Sequence, residues 1–377
     1  MTWHDYRLGD VLTLKRGHDL PDSQRQDGDV PVISSSGITG RHSEHKAKAP
    51  GVVTGRYGTL GEVFYIEEDY WPLNTALYVT DFKGNHPRFV AYFLQSVLRN
   101  YQSDKAAVPG VNRNVLHELK VRCPDTESQQ RIVDILSAYD DLIENNRRRM
   151  ALLEEAARHL YREWFVRLRF PGHEHTPITN GVPEGWERIY LGDAVDTQYG
   201  FTETATEEPV GPKFLRGTDI NKTPFIDWST VPYCPIDEIL QRKYQLRVGD
   251  IVIIRMADPG KVAIVERDID AVFASYLIRL LPTDPRLTPY YLYYCLSDDE
   301  YQGFISGVST GSTRKTASAP LLADFHMILP PETLLRTFEG SVRPLRQQIT
   351  TLLIQNEKLR AARDLLLPRL MSGQLIV

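Results

Sequence analysis

The chain carries the same short segment twice, once near its start and once near its middle. Tyr6–Gly17 reads YRLGDVLTLKRG, and Ile189–Gly200 reads IYLGDAVDTQYG. Leu8 and Leu191, which open the two Leu-Gly-Asp triplets, stand 183 residues apart, and each segment follows a tryptophan and closes on a glycine. A match at one constant offset raises the question of whether the two halves repeat one another throughout.

Further segments of the first half resemble segments of the second half, and they occur in the same order in both. The pairs are PVISSSGI with KFLRGTDI, GVVTGRYGTLGEV with GDIVIIRMADPGKV, HPRFVAYFLQSVL with DPRLTPYYLYYCL, GVNR with GSTR, and EEAARHL with LRAARDL. Conserved order across so many blocks makes chance matching an inadequate explanation. The chain is therefore predicted to be two copies of one structural unit, each about half its length.

Bulk composition is compatible with two ordinary globular domains. The chain has 377 residues, of which 42% are apolar and 25% charged, enough for each half to bury its own core. No apolar run reaches bilayer-spanning length, and the N-terminus lacks the layout of a secretion signal. Cys123, Cys234 and Cys295 are too widely spaced for a disulfide framework or a metal cluster. These features predict a cytoplasmic protein without membrane contact.

Two mixed domains are predicted, over residues 1–124 and 186–330. Short segments such as EVFYIEE and ALYVTDF have strand patterns, and PRFVAYFLQSVLRNY has helical spacing. In the second half we expect DIVIIRM, KVAIVER and VFASYLIRLL to be strands and PRLTPYYLYYCL to be a helix. The predicted fold class is α+β, with the two domains in tandem and an internal pseudo-two-fold repeat.

A long helix is predicted after each mixed domain, over 125–168 and 331–372, with a linker at 169–185 and a short tail at 373–377. In each helix, residues spaced alternately four and three apart form the stripe typical of a coiled coil. The first stripe consists of Ile132, Leu136, Tyr139, Ile143, Asn146, Met150, Leu153, Ala157, Leu160 and Trp164. The second consists of Phe338, Val342, Leu345, Ile349, Leu352, Asn356, Leu359, Arg363, Leu366 and Leu370.

The two stripes predict how the helices pair. If they form an antiparallel coiled coil aligned about their midpoints, Asn146 lies opposite Asn356, and the two amides satisfy each other. A polar residue at such a position costs stability but specifies register. Pro344 stands inside the second helix, where we expect it to kink the helix or to start it afresh.

Catalytic motifs that this kind of chain could carry are missing from the sequence. No cofactor glycine loop with an Asn/Asp-Pro-Pro-aromatic motif occurs, as a methyltransferase requires, and LPPET lacks the preceding amide or acid. No Gly-x4-Gly-Lys-Ser/Thr phosphate loop is present. His173–His175, which reads His-Glu-His, lacks further ligands at suitable spacing and is interpreted as part of a polar linker. The sequence predicts a non-catalytic protein that binds no metal.

The order of these features resembles the specificity (S) subunits of Type I restriction-modification systems over essentially the whole chain. The resemblance rests on LGD near each domain start, PGHE and VPEGW at the central junction, the helix after each proline, and the closing LLLPRLMSGQLIV. It implies two target-recognition domains, each reading one half of a split site in double-stranded DNA. It also implies two helices that space these domains and dock two methyltransferase (M) subunits, through which restriction/translocase (R) subunits join.

Polar loop residues are the candidates for DNA contact, because Arg, Lys, Asn, Ser and Thr reach phosphates and base edges. In the first half the candidates are Ser34, Ser35, Ser36, Arg41, His42, Lys46, Lys48, Asn112, Arg113 and Asn114. In the second half they are Arg216, Asn221, Lys222, Ser312, Thr313, Arg314 and Lys315. The alternative is that these polar loops are simply solvated.

The resemblance places the chemistry on partner subunits. They are expected to bind S-adenosylmethionine, ATP and Mg²⁺, whereas this chain is expected to bind no cofactor. Two other functions remain open on the sequence alone: the specificity module of another restriction class, and a duplicated scaffold protein that does not bind DNA. The net charge of −5 favours the scaffold, because independent DNA-binding proteins usually carry a basic surface.

Overall fold

Contacts divide the chain into two units, and each unit holds one mixed domain and a stretch of each long helix. The computed structural model of the protein describes residues 2–56, 61–103, 112–308 and 316–377. The first unit comprises 1–143 and 358–377, and the second comprises 144–357.

The first unit contains nine strands and the first four helices among the described residues. The strands are β1 (Trp3–Arg7), β2 (Thr13–Arg16), β3 (Val30–Ser34), β4 (Gly37–His42), β5 (Gly51–Gly55), β6 (Val63–Ile66), β7 (Trp71–Pro72), β8 (Ala76–Asp81) and β9 (Lys120–Pro124). The helices are α1 (Leu8–Val11), α2 (Pro87–Ser103), α3 (Arg113–His117) and α4 (Thr126–Tyr161), the last of which continues into the second unit.

A four-stranded antiparallel sheet in the order β2-β8-β5-β6 forms the centre of the first unit. β1 pairs with β9, while β3 pairs antiparallel with β4 and parallel with β7. The core between sheet and helices is apolar, as burial of Leu8, Phe89 and Leu136 shows. Leu367 and Leu370, near the C-terminus of the chain, belong to the same core.

The second unit repeats this construction. Its strands are β10 (Ile178–Thr179), β11 (Val182–Pro183), β12 (Glu187–Tyr190), β13 (Val195–Tyr199), β14 (Lys213–Leu215), β15 (Ile251–Ile254), β16 (Val262–Ile264), β17 (Ala271–Phe273), β18 (Leu277–Pro282) and β19 (His326–Leu329). Its helices are α5 (Leu191–Ala194), α6 (Glu238–Tyr244), α7 (Pro289–Ser297), α8 (Asp299–Val308), α9 (Ala319–Ala323) and α10 (Glu332–Met371), the last of which extends into the first unit.

Sheet topology shows the duplication directly. The central sheet of the second unit has the order β13-β18-β15-β16, which matches β2-β8-β5-β6 strand for strand. β12 pairs with β19 as β1 pairs with β9, and β14 pairs parallel with β17 as β3 pairs with β7. The duplicated α+β plan predicted from the sequence is confirmed.

The repeated Leu-Gly-Asp segment forms a short helical turn between two strands in each unit. Leu8 and Leu191, which begin α1 and α5, are fully buried. The glycine that closes each segment lies against the backbone of a neighbouring strand. A β-carbon on Gly17 would lie 2.2 Å from the Leu73 carbonyl oxygen, and one on Gly200 would lie 2.2 Å from the Ala274 carbonyl oxygen. The segment is repeated because the same corner of the fold is built twice.

α4 and α10 pack antiparallel within each unit. In the first unit the guanidinium of Arg363 donates to the Asp140 carboxylate at 2.6 Å. In the second unit Met150 forms an apolar cluster with Ile349 and Leu352. In these contacts the residue numbers rise along α4 as they fall along α10, so the helices are antiparallel. None of the twenty stripe residues is exposed. Arg363, the charged exception in the second stripe, has its charge paired by Asp140.

The two stripe asparagines meet within the second unit. The Asn146 amide donates to the Asn356 side-chain oxygen at 2.9 Å, and both residues are buried. The spacing of the stripes predicts this juxtaposition. That the pair determines helix register stays a prediction.

A double-mutant cycle tests the energetic contribution of this pair. Asn146→Leu and Asn356→Leu should each lower the free energy of unfolding by about 1–3 kcal/mol, because each leaves a buried amide without its partner. The double variant should recover most of this loss, and urea denaturation measures all three. Additive losses in the double variant would show that the two amides are not coupled.

Two elements differ from the sequence prediction. VFASYLIRLL was expected to be one strand, but it forms β17 and β18, which belong to different sheets and are separated by a turn in which Tyr276 is exposed. The helix expected from Pro285 begins only at Pro289, with Thr288 as its N-cap. Proline favours the first helical turn, since its missing N–H has no intrahelical partner there. Arg286 therefore precedes the helix and pairs with Asp284 at 2.8 Å.

Pro344 does not start the second long helix afresh, and that it kinks the helix stays a prediction. α10 runs unbroken from Glu332 to Met371. Gly340 stands four residues before the proline, and both positions are exposed. The carbonyl that loses its helical hydrogen bond belongs to Gly340, on the exposed side of the helix, where water can replace the missing donor. The segment at 169–185, expected to be a linker, contains a short 3-10 turn at His173–His175 and the β10–β11 hairpin.

Candidate nucleic-acid interface

The serine candidates of the first domain form the turn that joins β3 to β4. The Ser34 hydroxyl donates to the Gly37 carbonyl at 3.3 Å and accepts from the Ser36 backbone N–H at 3.1 Å. It also lies 3.0 Å from the Ser36 hydroxyl. Ser34 is buried and Ser35 half-buried, whereas Ser36 is exposed. Ser34 thus shapes the turn, and Ser36 is the serine most available to a ligand.

Arg41 and His42, adjacent on β4, face opposite ways. His42 is buried, its Nδ1 accepts from the Gln26 backbone N–H at 3.0 Å, and its ring packs edge-on against Trp71 at a centroid distance of 5.2 Å. Arg41 is exposed and donates to the Asp29 backbone carbonyl. His42 therefore packs in the domain interior and Arg41 lies at the surface, and DNA contact by either residue stays a prediction.

The two lysines of this loop lie on the exposed side of the domain. Lys46 Nζ is 4.8 Å from the centroid of the Trp71 ring, a cation–π distance, and Lys48 is exposed. Burial lowers the pKa of nearby His18, and the positive charges of Lys15 and Lys46 lower it further. Lys46 and Lys48 are therefore exposed cations of this loop, although the chain as a whole is acidic.

Asn112, Arg113 and Asn114 form the start of α3. Asn112 is the N-cap, and its side chain accepts from the Asn114 backbone N–H at 3.0 Å. All three residues are exposed. The helix is anchored from its other end by His117, whose Nε2 accepts from the Leu14 backbone N–H at 2.9 Å. Capping gives Asn112 a structural role, and Arg113 is the cation that this turn presents.

In the second domain, Arg216, Asn221 and Lys222 lie around a 3-10 turn at Gly217–Asp219. The Arg216 guanidinium pairs with the Asp219 carboxylate at 2.9 Å, which raises the pKa of Arg216 above its ordinary value. Lys222 is exposed and Asn221 half-buried. The positive charge of Arg216 is therefore largely neutralised by Asp219, and Lys222 is the exposed cation of the loop.

A cavity of about 410 Å³ opens beside this turn. It is lined mainly by apolar groups, among them Phe214, Ile254 and Met256, together with Arg216 and Asn221 of the candidate loop. The side-chain oxygen of Asn221 is buried and has no hydrogen-bond partner among the residues that the structure describes. The cavity thus has a mainly apolar lining, as small-ligand sites usually have.

The remaining candidates, Ser312, Thr313, Arg314 and Lys315, lie outside the described residues. The next residue, Thr316, forms a β-bridge with Met256 at the cavity wall. Their role in DNA contact stays a prediction.

In the part of the chain that the structure describes, no group of three or more His, Cys, Asp or Glu side chains could hold a metal ion. No helix there is both long and apolar enough to cross a membrane. The three cysteines are buried free thiols.

One buried cluster was not predicted. Arg346 on α10 is fully buried and pairs with Glu154 of α4 and with Glu266, which follows β16. The spacing of the helical stripe predicted that the apolar Leu345 lies in the interface. It did not predict that the next residue, Arg346, is also buried. Glu266 comes from a distant segment, so no local sequence signal could have identified the cluster.

Comparison with known proteins agrees with this architecture. Residues 1–155 match the family model of the Type I restriction modification DNA specificity domain. The specificity subunit of the Type I restriction enzyme MjaIX from Methanocaldococcus jannaschii is 26% identical over 290 residues, which cover 73% of this chain and 65% of that protein. The HindI specificity subunit from Haemophilus influenzae is 20% identical over 337 residues, covering 73% of each chain.

A solved structure shares the fold. The S subunit of a Type I restriction-modification system from M. genitalium superposes with a TM-score of 0.58 at 16% identity, covering 98% of this chain and 96% of that one. Residues 1–155 are thus similar to the Type I DNA specificity domain, 73% of the chain aligns with each of two specificity subunits, and the fold is that of a Type I S subunit.

Proposed function

We propose that this chain selects the DNA target of a Type I restriction-modification complex by binding a bipartite site in double-stranded DNA. The observation that carries the proposal is the duplicated domain, built twice with the same sheet order but with different loops. Duplication of a reading domain supplies one reader for each half of a split site. Since the SSSGITGRHSEHKAK loop has little in common with RGTDINKT, the two half-sites should differ in sequence.

The lengths of the helices suit this function. α4 has 36 residues and α10 has 40, which correspond to about 54 and 60 Å. Half-sites on one face of B-DNA lie about 34 Å apart for each helical turn between them. Helices of this length are sufficient to space two readers over neighbouring major grooves.

We further propose that the long helices dock two methyltransferase subunits, through which restriction subunits join the complex. Leu142 and Leu152 on α4 and Leu365 on α10 are at least half exposed. A docked partner would bury these three side chains, whereas single exposed leucines are common on protein surfaces. In this proposal the chain is not an enzyme: the methyltransferase subunits bind S-adenosylmethionine and methylate adenine, and the restriction subunit uses ATP and Mg²⁺.

The acidic net charge of −5 favours a second candidate, a scaffold that assembles proteins without binding DNA. A specificity module working with the nuclease-methyltransferase of another restriction class is a narrower alternative. DNA binding by the chain would distinguish the main proposal from the scaffold. The identity of the partner subunit would distinguish it from a module of another restriction class.

Salt-dependent binding tests DNA contact by the first domain. The probe is the duplex whose split motif is found by methylation mapping, and the sample is the chain in complex with its methyltransferase subunit. Lys48→Ala should weaken binding and reduce the steepness of the log Kd against log salt plot by about one counterion, as loss of one phosphate contact does. The matched control is Lys83→Ala, which removes an exposed lysine that already pairs with Asp81 at 2.9 Å. Equal slopes for both variants would remove Lys48 from the interface, and salt-independent binding by the unaltered complex would favour the scaffold.

A further inference from the structure

We propose that one corner of each domain binds a phosphate of the DNA backbone, through Arg255 in the second domain and through Arg16 and Arg56 in the first. This inference rests on the proposed function and deepens it, because the candidate loops differ between the domains whereas this corner is common to both. Arg255 belongs to the second unit, and Arg16 and Arg56 belong to the first.

Arg56 and Arg255 occupy the same position in the repeated domain. Arg56 directly follows β5 and Arg255 directly follows β15, and these strands hold the same place in the two central sheets. The Arg56 backbone N–H donates to the Thr75 carbonyl at 3.2 Å, and that of Arg255 donates to the Tyr276 carbonyl at 3.0 Å. Thr75 and Tyr276 directly precede the equivalent strands β8 and β18. Sheet order and hydrogen bonding therefore define one corner that presents an arginine in both domains.

The second domain fixes the position of Arg255 from several sides. The Arg255 carbonyl accepts from the Ala317 backbone N–H at 2.8 Å. Its guanidinium lies 5.0 Å from the centroid of the Tyr199 ring, a cation–π distance. The Tyr199 hydroxyl accepts from the Ala319 backbone N–H at 3.0 Å, so the ring is held in place too. A guanidinium on an aromatic face can still donate hydrogen bonds from its edge, and this one is positioned before any ligand arrives.

Arg255 lacks the counter-charge that comparable arginines have. The other arginines of this domain that are not exposed each pair with a carboxylate within 3.0 Å: Arg216, Arg267, Arg279 and Arg286. Among the residues that the structure describes, the guanidinium of the half-buried Arg255 has no such pair and makes no hydrogen bond. Its Nε is buried, whereas its two terminal nitrogens retain accessible surface. A partly dehydrated cation with accessible donors and no counter-charge favours an anionic ligand.

The repetition of the corner identifies this anion. The two domains are proposed to read different half-sites, so a group placed identically in both must contact what the half-sites have in common. That common feature of DNA is its sugar-phosphate backbone. Contacts to phosphate set the register of a protein on the duplex without reading base sequence directly. The fork of guanidinium N–H groups matches two oxygens of one phosphate.

The first domain has two arginines at its corner. Arg16 holds the position of Tyr199, directly before the closing glycine of the repeated segment, and it is exposed. The Nε of Arg16 and the Nη1 of Arg56 both donate to the Asn74 carbonyl oxygen at 3.2 Å. Asp19 accepts from the side-chain amide of Asn74 and by formal charge offsets one of the two cations. The first corner therefore brings two guanidinium groups to one point of the surface.

Methylphosphonate substitution tests the proposal on the complex of the chain with its methyltransferase subunit. In the duplex found by methylation mapping, each phosphate in turn is replaced by an uncharged methylphosphonate, and Kd is measured. Exchange of residues 1–124 assigns each half-site to its domain. For the unaltered chain, we expect one phosphate in each half-site at which neutralisation weakens binding about tenfold, the loss of roughly one charge-assisted hydrogen bond.

Arg255→Met should weaken binding of the unmodified duplex about tenfold and remove the methylphosphonate effect in the half-site of the second domain only. The effect in the other half-site should persist, which shows that the variant is folded and bound. Arg16→Met should give the reciprocal result. The methylated motif should stay the same in both variants, because a phosphate contact reads no base.

The matched control is Arg242→Met, which removes an exposed arginine on α6 that lies 3.6 Å from Glu238. It should leave Kd and the methylphosphonate profile unchanged. Identical profiles for Arg255→Met and the unaltered chain would overturn the proposal, and so would a change in the methylated motif. Weaker association with the methyltransferase subunit, without a change at any phosphate, would also overturn it and assign Arg255 to a protein carboxylate.

The same experiment separates this inference from the proposed function. An unaltered complex that binds and methylates its split motif, with no phosphate coupled to Arg255 or Arg16, would overturn the inference and leave the proposed function intact. An unaltered complex that binds no duplex would overturn both.

Discussion

Substitution of Arg346 by methionine is expected to lower the free energy of unfolding of the second unit by about 3–5 kcal/mol. Arg346 is fully buried, and its guanidinium donates to Glu266 at 2.6 and 2.8 Å and to Glu154. It also lies 5.1 Å from the centroid of the Tyr293 ring. Removal of this one cation leaves the mostly buried Glu266 without this counter-charge and leaves the buried Glu154 with only the more distant Arg158, at 3.6 Å. The loss should therefore far exceed the value of an exposed ion pair.

Two further variants define the cause of this loss. Arg336→Met, ten residues earlier on α10, removes an arginine that is 75% exposed and pairs with the half-exposed Glu332 at 2.6 Å, and it should cost about 1 kcal/mol or less. The triple variant Arg346→Met, Glu154→Gln, Glu266→Gln removes all three charges and should recover much of the loss. Urea denaturation with tryptophan fluorescence measures each variant. Arg346→Met within 1 kcal/mol of the unaltered chain would contradict this account.

Alanine at either of the two repeated glycines should destabilise its own unit by about 3 kcal/mol. At Gly200 the new β-carbon would meet the carbonyl oxygens of Ala274 and Phe273 at 2.2 and 2.5 Å. At Gly17 it would meet those of Leu73 and Pro72 at the same two distances. These are backbone atoms of neighbouring segments, so strands must shift to relieve the contact. If the two variants lose similar unfolding free energy, the same close backbone approach constrains both copies of the domain.

The control for these variants is Gly303→Ala. Gly303 is an exposed residue within α8 where no atom lies within 4 Å of a new β-carbon, so alanine should stabilise the helix by about 0.5–1 kcal/mol. Thermal and urea unfolding report both changes. A Gly200→Ala variant as stable as the unaltered chain would show that the close approach of the two backbones is not a constraint on the fold.

The repeated pattern made much of the architecture predictable. Two copies of one segment implied two copies of one domain, and the stripe spacing placed Asn146 beside Asn356. The errors arose where non-local contacts decide the local structure. β17 and β18 are separated because they pair with different sheets, which the apolar run VFASYLIRLL does not indicate. Pro344 is tolerated because it and Gly340 are exposed, a property of packing rather than of helix propensity.

The candidate interface was predictable only in part. Loop composition correctly placed Arg41, Lys46 and Lys48 at the surface but could not show that Ser34 and His42 turn inward. Arg216 and Asn221 were named as loop residues. The cavity that they line also needs Phe214, Met256 and Tyr276, which only folding brings together. No periodicity or motif encodes such a convergence.

Methylation mapping tests the central claim most directly. The chain is expressed with the methyltransferase subunit encoded beside it in an unmethylated host, and modified adenines are mapped by long-read sequencing. The account predicts a split motif that appears only when this chain is present, and a change in one half of that motif when residues 1–124 are exchanged for those of a related subunit. Absence of a new motif while both proteins are soluble and associated, or a change in both halves after the exchange, would contradict it.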